Sequence, residues 1–194
     1  NNIRYLGCQI NNNADSHSEI SCRIEQARSA FKKLNRVLCS RDLRISLRIQ
    51  LLRCYVFSVL LYGVEAWTLN NSDIKRLEAF EMWCYRRILK ISWVDRVRNA
   101  EVLERLSKST EIVCTVKSRK LQYFGHVMRG EKYRLLQNIM QGKIAGKRGP
   151  GRRKTSWLKN LRDWYGVDTN RLFRIAVNKI KIAVMVTNVL KGHG

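Results

Sequence analysis

Acidic side chains are scarce in this chain. Fifteen Asp and Glu stand against 38 Lys and Arg in 194 residues, leaving a formal net charge of +23, so folding concentrates positive charge that repels itself and calls for a polyanionic partner. Proline occurs once, at Pro150, inside a stretch from Gly142 to Lys154 where Gly142, Gly146, Gly149 and Gly151 interrupt any regular structure; that stretch is a loop. The six cysteines (Cys8, Cys22, Cys39, Cys54, Cys84, Cys114) lie 14 or more residues apart. No Cys-x-x-Cys pair therefore seeds a zinc or redox site, and the expected state is buried reduced thiols in an intracellular protein. His17, His126 and His193 are equally scattered, and no metal ligand is assigned. The longest uncharged run, Cys54 to Val64, is well short of the ~20 residues a bilayer span needs. No charged-then-apolar leader is visible, and no membrane partner is expected. The chain begins at Asn1 and its first methionine is Met82, which suggests a piece of a longer reading frame.

Catalytic signatures are missing too. Two-metal polymerases need converging carboxylates, commonly an adjacent Asp pair, and no Asp-Asp occurs. Asp42, Asp73, Asp95, Asp163 and Asp168 stand alone, where helix caps or surface ion pairs would put them. No Gly-x-Ser-x-Gly elbow is present. A phosphate-binding loop is only half matched, because Arg148 follows Gly142, Gly146 and Lys147. The expectation is no catalytic residue, no cofactor and no activity of the chain by itself.

What is there is apolar and periodic. Hydrophobic residues make up 45% of the chain, with five Trp, which is too apolar for a disordered basic tail. Ile3 to Ile10 reads as a strand running into a turn at Asn11, Asn12 and Asn13. From Ser18 to Cys39, Ile20, Ile24, Ala27, Phe31, Leu34 and Leu38 step by three and four, with Arg23, Arg28, Lys32, Lys33 and Arg36 on the other face. A second helix, capped by Ser40 or Asp42, reaches Tyr62 and ends at Gly63. A third follows Asn71 or Ser72, with Ile74, Leu77, Phe80, Cys84, Ile88 and Ile91 spaced for burial.

The fold class predicted is mainly α: a β segment over 1–14, a helical bundle over 15–91, and a basic helical extension over 92–194, with a pattern change near Ser92 to Arg98. In the extension, helices are expected near Asn99 to Leu106, Thr110 to Met128 and Leu135 to Met140. Thr155 or Ser156 caps Trp157 to Trp164, Gly166 ends it, and one last helix carries Leu172, Phe173, Ala176, Ile180, Ala183 and Val184 inward.

Binding features are stronger than catalytic ones. Lys117, Arg119 and Lys120 interleave with Tyr123 and Phe124, cations for phosphates beside rings that either stack bases or complete a core stripe. In GKRGPGRRKTSWL, Lys147, Arg148, Arg152, Arg153 and Lys154 sit on a glycine-rich backbone that can lie in a groove before Trp157 opens a helix. A flexible linker, a nuclear-import signal or a kinase site at Thr155 or Ser156 would read the same way.

IRYLGCQI, EISCRIEQARSAFKKL, LRIQLLRCYVFSVLLYGVEAWTL, RLEAFEMWCYRRILKISWVDRVRN, RKLQYFGHVMR and GKRGPGRRKTSWL, in that order, resemble the C-terminal third of non-LTR retrotransposon endonuclease-reverse transcriptases of the kind common in insect genomes. The resemblance spans nearly the entire chain. It implies that Tyr5, Leu6 and Gly7 form a primer-grip-like segment at the end of the palm, that the bundle is a thumb closing on an RNA/DNA hybrid, and that the extension holds template RNA or target DNA. The palm with its paired aspartates and magnesium, the fingers and the endonuclease would lie upstream as partners in the same polyprotein. The zinc knuckle that ends some relatives is missing here. Two functions fit: a nucleic-acid-gripping piece of an RNA-directed DNA polymerase working in cytoplasm and nucleus, or a domesticated basic protein that binds nucleic acid or acidic partners without polymerising.

Overall fold

A computed structural model of the chain describes residues 2–5, 7–11, 16–144 and 156–190. These are mainly α-helical and fall into two compact units, Asn1–Gly63 with Leu69–Val113, and Val64–Thr68 with Cys114–Gly194. The break in compactness comes after Val113, past the Ser92 to Arg98 stretch where the sequence pattern changes.

The first unit opens with an antiparallel hairpin of β1 (Asn2–Tyr5) and β2 (Cys8–Asn11), with Ile3 paired to Ile10 and Tyr5 to Cys8. Gly7 turns between them at φ 80°, a left-handed conformation that glycine adopts without a Cβ penalty. The stretch read as one strand is thus two. α1 (His17–Lys33) buries Ile20, Ile24, Ala27 and Phe31, the four-three-four spacing of one helical face. α2 (Asn35–Leu38) adds Leu38. α3 (Ile45–Leu52) continues through one π turn, Arg53–Phe57, into α4 (Ser58–Leu60). This element starts later than expected, without a side-chain cap. The Ser58 hydroxyl donates to the Cys54 carbonyl at 2.5 Å, giving that oxygen a partner inside the widened turn.

α5 (Asn71–Leu89) buries Leu77, Phe80, Cys84 and Ile88 as its period predicts. Its N-cap is Asn70, one residue before the expected position. The Asn70 Oδ1 accepts from the Asp73 N–H at 2.9 Å and the Asp73 carboxylate from the Asn70 N–H at 3.4 Å, a reciprocal capping box. Phe80 stacks on Trp83 at 5.8 Å while Phe31 meets the same indole edge-on at 5.0 Å, joining α1 to α5. A short 3-10 turn, Trp93–Asp95, and α6 (Asn99–Arg105) follow.

The second unit takes most of α7 (Ile112–Arg129), then α8 (Arg134–Gln141), α9 (Trp157–Tyr165), α10 (Thr169–Val177) and α11 (Lys179–Leu190). Leu121, Phe124, Leu161, Leu172, Ala176, Ile182 and Val186 form its core. Gly125 lets α11 approach α7, since a Cβ there would stand 3.2 Å from the Ile182 side chain. Ser156 caps α9 and Gly166 ends it in the left-handed region, as the sequence indicates. The single last helix expected is two helices. Asn178 leaves helical geometry at ψ 108° and its side chain accepts from the Lys181 N–H at 3.0 Å, so an asparagine interrupts one helix in order to cap the next. No described helix is long and apolar enough to cross a membrane.

Candidate functional site

Among the described residues, tryptophan rings contact cations around Trp83 in the first unit and around Lys120 in the second. In the first, the half-buried Trp83 receives the Arg87 guanidinium 4.6 Å from its ring centroid and that of Arg28 at 5.5 Å. Stacking on an indole holds a guanidinium flat while its N–H groups stay available to oxygen acceptors. Arg48 comes from α3 and donates to the Ile88 carbonyl at 2.9 Å, filling a carbonyl of the last turn of α5. Lys90 ends α5 in the left-handed region. Arg87, Lys90 and Arg48 all stand close enough to the Cys39 thiol to pull its pKa down, yet burial wins and raises it. Lys32, Lys33 and Arg36 are exposed on the adjoining α1 and α2. The carboxylate that meets this group is Glu25, 3.3 Å from Arg28 in an exposed pair that contributes little. Such an arrangement attracts phosphates and carries no sequence-reading geometry.

The second constellation is closed. Lys120 has no exposed surface. Its Nζ donates to the Trp67 carbonyl at 2.6 Å and to Asn160 Oδ1 at 3.0 Å, and lies 4.6 Å from the Trp157 ring and 5.2 Å from that of Trp164. Burial pulls its pKa from the ordinary 10.5 down to about 7, while the two oxygens and two indole faces favour the charged form. The Trp157 indole N–H is also committed, to the Glu65 carbonyl at 2.8 Å.

Acids gather at one other place in the first unit. Glu81, fully buried, accepts from the backbone N–H groups of Glu111 at 2.7 Å and Ile112 at 3.2 Å, holding the start of α7. The Tyr85 hydroxyl lies 3.0 Å from both Glu81 and Glu111. Burial pushes the Glu81 carboxyl up. Burial pushes Glu111 up as well, but Arg53 and Lys108 together hold it below its ordinary range. Every named oxygen is used in joining elements, which makes this cluster structural. Among the described residues no three His, Cys, Asp or Glu are grouped as metal ligands.

Several expected contacts need correction. Arg23 is 6% exposed, paired to Glu19 at 2.8 Å, donating to the Gly7 carbonyl at 2.6 Å and lying over the Tyr62 ring. It braces the hairpin turn instead of facing solvent. Lys120 is spent on the interior of the second unit and offers no phosphate contact, while Trp157 is half-buried, its indole N–H committed to the Glu65 carbonyl. Phe124 is core and Tyr123 sits at its rim. Lys117 and Arg119 are half-buried, Lys117 lying 6.0 Å from the Trp164 ring. Arg28, Lys32, Lys33 and Arg36 keep outward surface. Tyr5 lies in β1 and Gly7 in the turn. Leu6, Lys147, Arg148, Arg152, Arg153 and Lys154 lie outside the described residues. Sequence reasoning missed Trp83 with Arg87, Lys90 and Arg48 as a group, though Trp83 and Arg87 are spaced i, i+4 on one helix face.

No family model matches the chain, and no solved structure matches it. The chain is similar to an uncharacterized transposon-derived protein of Caenorhabditis elegans, 31% identical over 163 residues. The match takes in 81% of this chain and 58% of that protein, so the chain spans somewhat over half the length of its relative.

Proposed function

We propose that this chain is of transposon origin and forms the thumb-like bundle (15–91) and basic extension (92–194) of a non-LTR retrotransposon reverse transcriptase, with 1–14 ending the palm. In this role it grips the backbone of an RNA/DNA hybrid or template RNA during target-primed reverse transcription. The observation that carries the reading is the gathering of Arg28, Arg48, Arg87 and Lys90 from three helices around Trp83 and Cys39. A charge of +23 and the likeness to a transposon-derived protein support it. Polymerase chemistry and its magnesium are assigned to the upstream palm, and with the fingers that palm is the protein partner. The site of action is inside the cell, in cytoplasm and nucleus.

Hybrid binding by the purified chain, followed by fluorescence anisotropy across a salt series, tests this. With about five phosphates engaged, log K falls against log salt with a slope of roughly −4. Salt-independent binding would falsify the electrostatic reading. Replacing Arg152, Arg153 and Lys154 together by Ala weakens binding to all hybrid sequences about equally, because phosphate contacts carry no base information.

A further inference from the structure

Trp93 is 92% exposed and its neighbour Val94 82%. A tryptophan ring offers on the order of 200 Å² to a partner, so displaying one whole in water is unusual for a ring with no partner to cover it. It makes no ring contact among the described residues. Arg86, Arg96 and Arg98 line, with Trp93 and Val97, an open cleft of about 820 Å³. Among the described residues the Arg96 and Arg98 guanidinium groups make no hydrogen bond or ion pair, these residues bonding through their backbones alone.

The display is held in place. The Ser92 N–H donates to the Asp95 carboxylate at 2.7 Å, and the Arg86 guanidinium reaches the Val97 carbonyl at 2.8 Å. Asp95, the acid within this segment, is therefore occupied by its own turn. Glu101 on the following helix is taken by Arg105 at 2.5 Å. The cleft is left with uncompensated positive charge beside a flat apolar ring.

We infer that this segment is a separate single-strand contact, where Trp93 stacks on an unpaired base and Arg86, Arg96 and Arg98 engage the neighbouring phosphates. The inference rests on the nucleic-acid reading above and narrows it. A paired base is stacked on both faces inside its duplex and offers nothing to an indole, whereas an unpaired one presents a free π-face next to an anion. An acidic peptide matches the arginines but supplies no regularly placed aromatic face.

The full chain is titrated with a ~12-nucleotide single strand and with a blunt RNA/DNA hybrid. Trp93→Ala weakens single-strand binding roughly 5- to 100-fold, the span of one lost base stack. Trp93→Phe retains most of the affinity, and hybrid affinity stays within about twofold for both variants. The exposed position leaves the circular dichroism unchanged. Wild-type single-strand affinity in Trp93→Ala overturns the inference and leaves the hybrid-gripping reading standing, whereas a chain that binds neither probe sinks both. An oligoglutamate peptide that displaces the oligonucleotide at equal concentration also overturns it, in favour of an acidic protein partner.

Discussion

The two units use the same ingredients in opposite ways. Around Trp83 the exposed Arg87 and the half-buried Arg28, the latter paired to Glu25, lie on the outside of the indole. Around Lys120 the indoles of Trp157 and Trp164 lie outside the cation and shut it in. A cation beside an aromatic ring is therefore no indicator of binding until burial is known. Exposed, the pair presents positive charge that phosphates can reach; enclosed, it becomes a fold-determining polar contact whose loss leaves buried groups without partners.

The largest effect expected from this contrast is on stability. Lys120→Ala opens a cavity and removes a donor from the Trp67 carbonyl and from Asn160 Oδ1, costing about 3 kcal/mol or more. Urea unfolding should show this as a lowered midpoint. A variant as stable as the wild type would mean that the closed arrangement contributes nothing to folding.

Proton linkage at the same residue follows in size. Lys120 has a folded pKa of about 7 and an ordinary value of 10.5. Between these the unfolded chain holds more protons than the folded one, so stability rises with pH across that window and is lost as pH falls toward 7. Going from pH 7 to 9 stabilises the protein by up to about 2 kcal/mol, less where the oxygens and indoles retain the proton. Lys120→Met should flatten the slope. An equal slope in that variant would assign the effect to other groups.

The open arrangement predicts the reverse pattern. Arg28→Ala with Arg87→Ala leaves stability within about 1 kcal/mol, these being surface cation–π contacts. The hybrid-binding salt slope shrinks by about two, one for each phosphate contact removed. Unfolded protein at low urea, or an unchanged slope, breaks the contrast between the units.

These cases also show what was legible beforehand. The inner faces of α1 and α5 stood in the sequence because apolar residues there recur at helical spacing over four turns, although Glu19, Arg23, Asp73 and Glu81 are buried with them. Lys120 was misread because its charge outweighed its position. It stands four residues after Val116 and four before Phe124, on the buried face of α7. Arg23 was misread similarly. It lies four residues after Glu19, the spacing at which an ion pair can enter a core together. Trp93 carried no sequence signal of exposure, since its display depends on the Ser92–Asp95 turn and the Arg86 tether. The break at Asn178 was legible in kind, because asparagine favours caps, but the apolar period ran through it.

The smallest effects compare one helix cap in each unit. Ser156 caps α9 through one bond, its hydroxyl accepting from the Lys159 N–H at 3.1 Å. Asn70 caps α5 through a reciprocal pair with Asp73, and that carboxylate is itself buried and bonded to His17 Nδ1 at 2.7 Å. Ser156→Ala removes one partner from an exposed N–H that water can replace, so it lowers stability by about 0.5–1 kcal/mol. Asn70→Ala takes the acceptor from both the part-buried Asp73 N–H and the Ser72 hydroxyl and leaves the first turn less tightly fixed, so about 1–2 kcal/mol is expected. Thermal unfolding of the two variants should rank them in that order. The reverse order would mean that the cap of α9 carries more than its single bond, and that the Lys120 enclosure, to which α9 contributes Trp157 and Asn160, depends on the first turn of that helix.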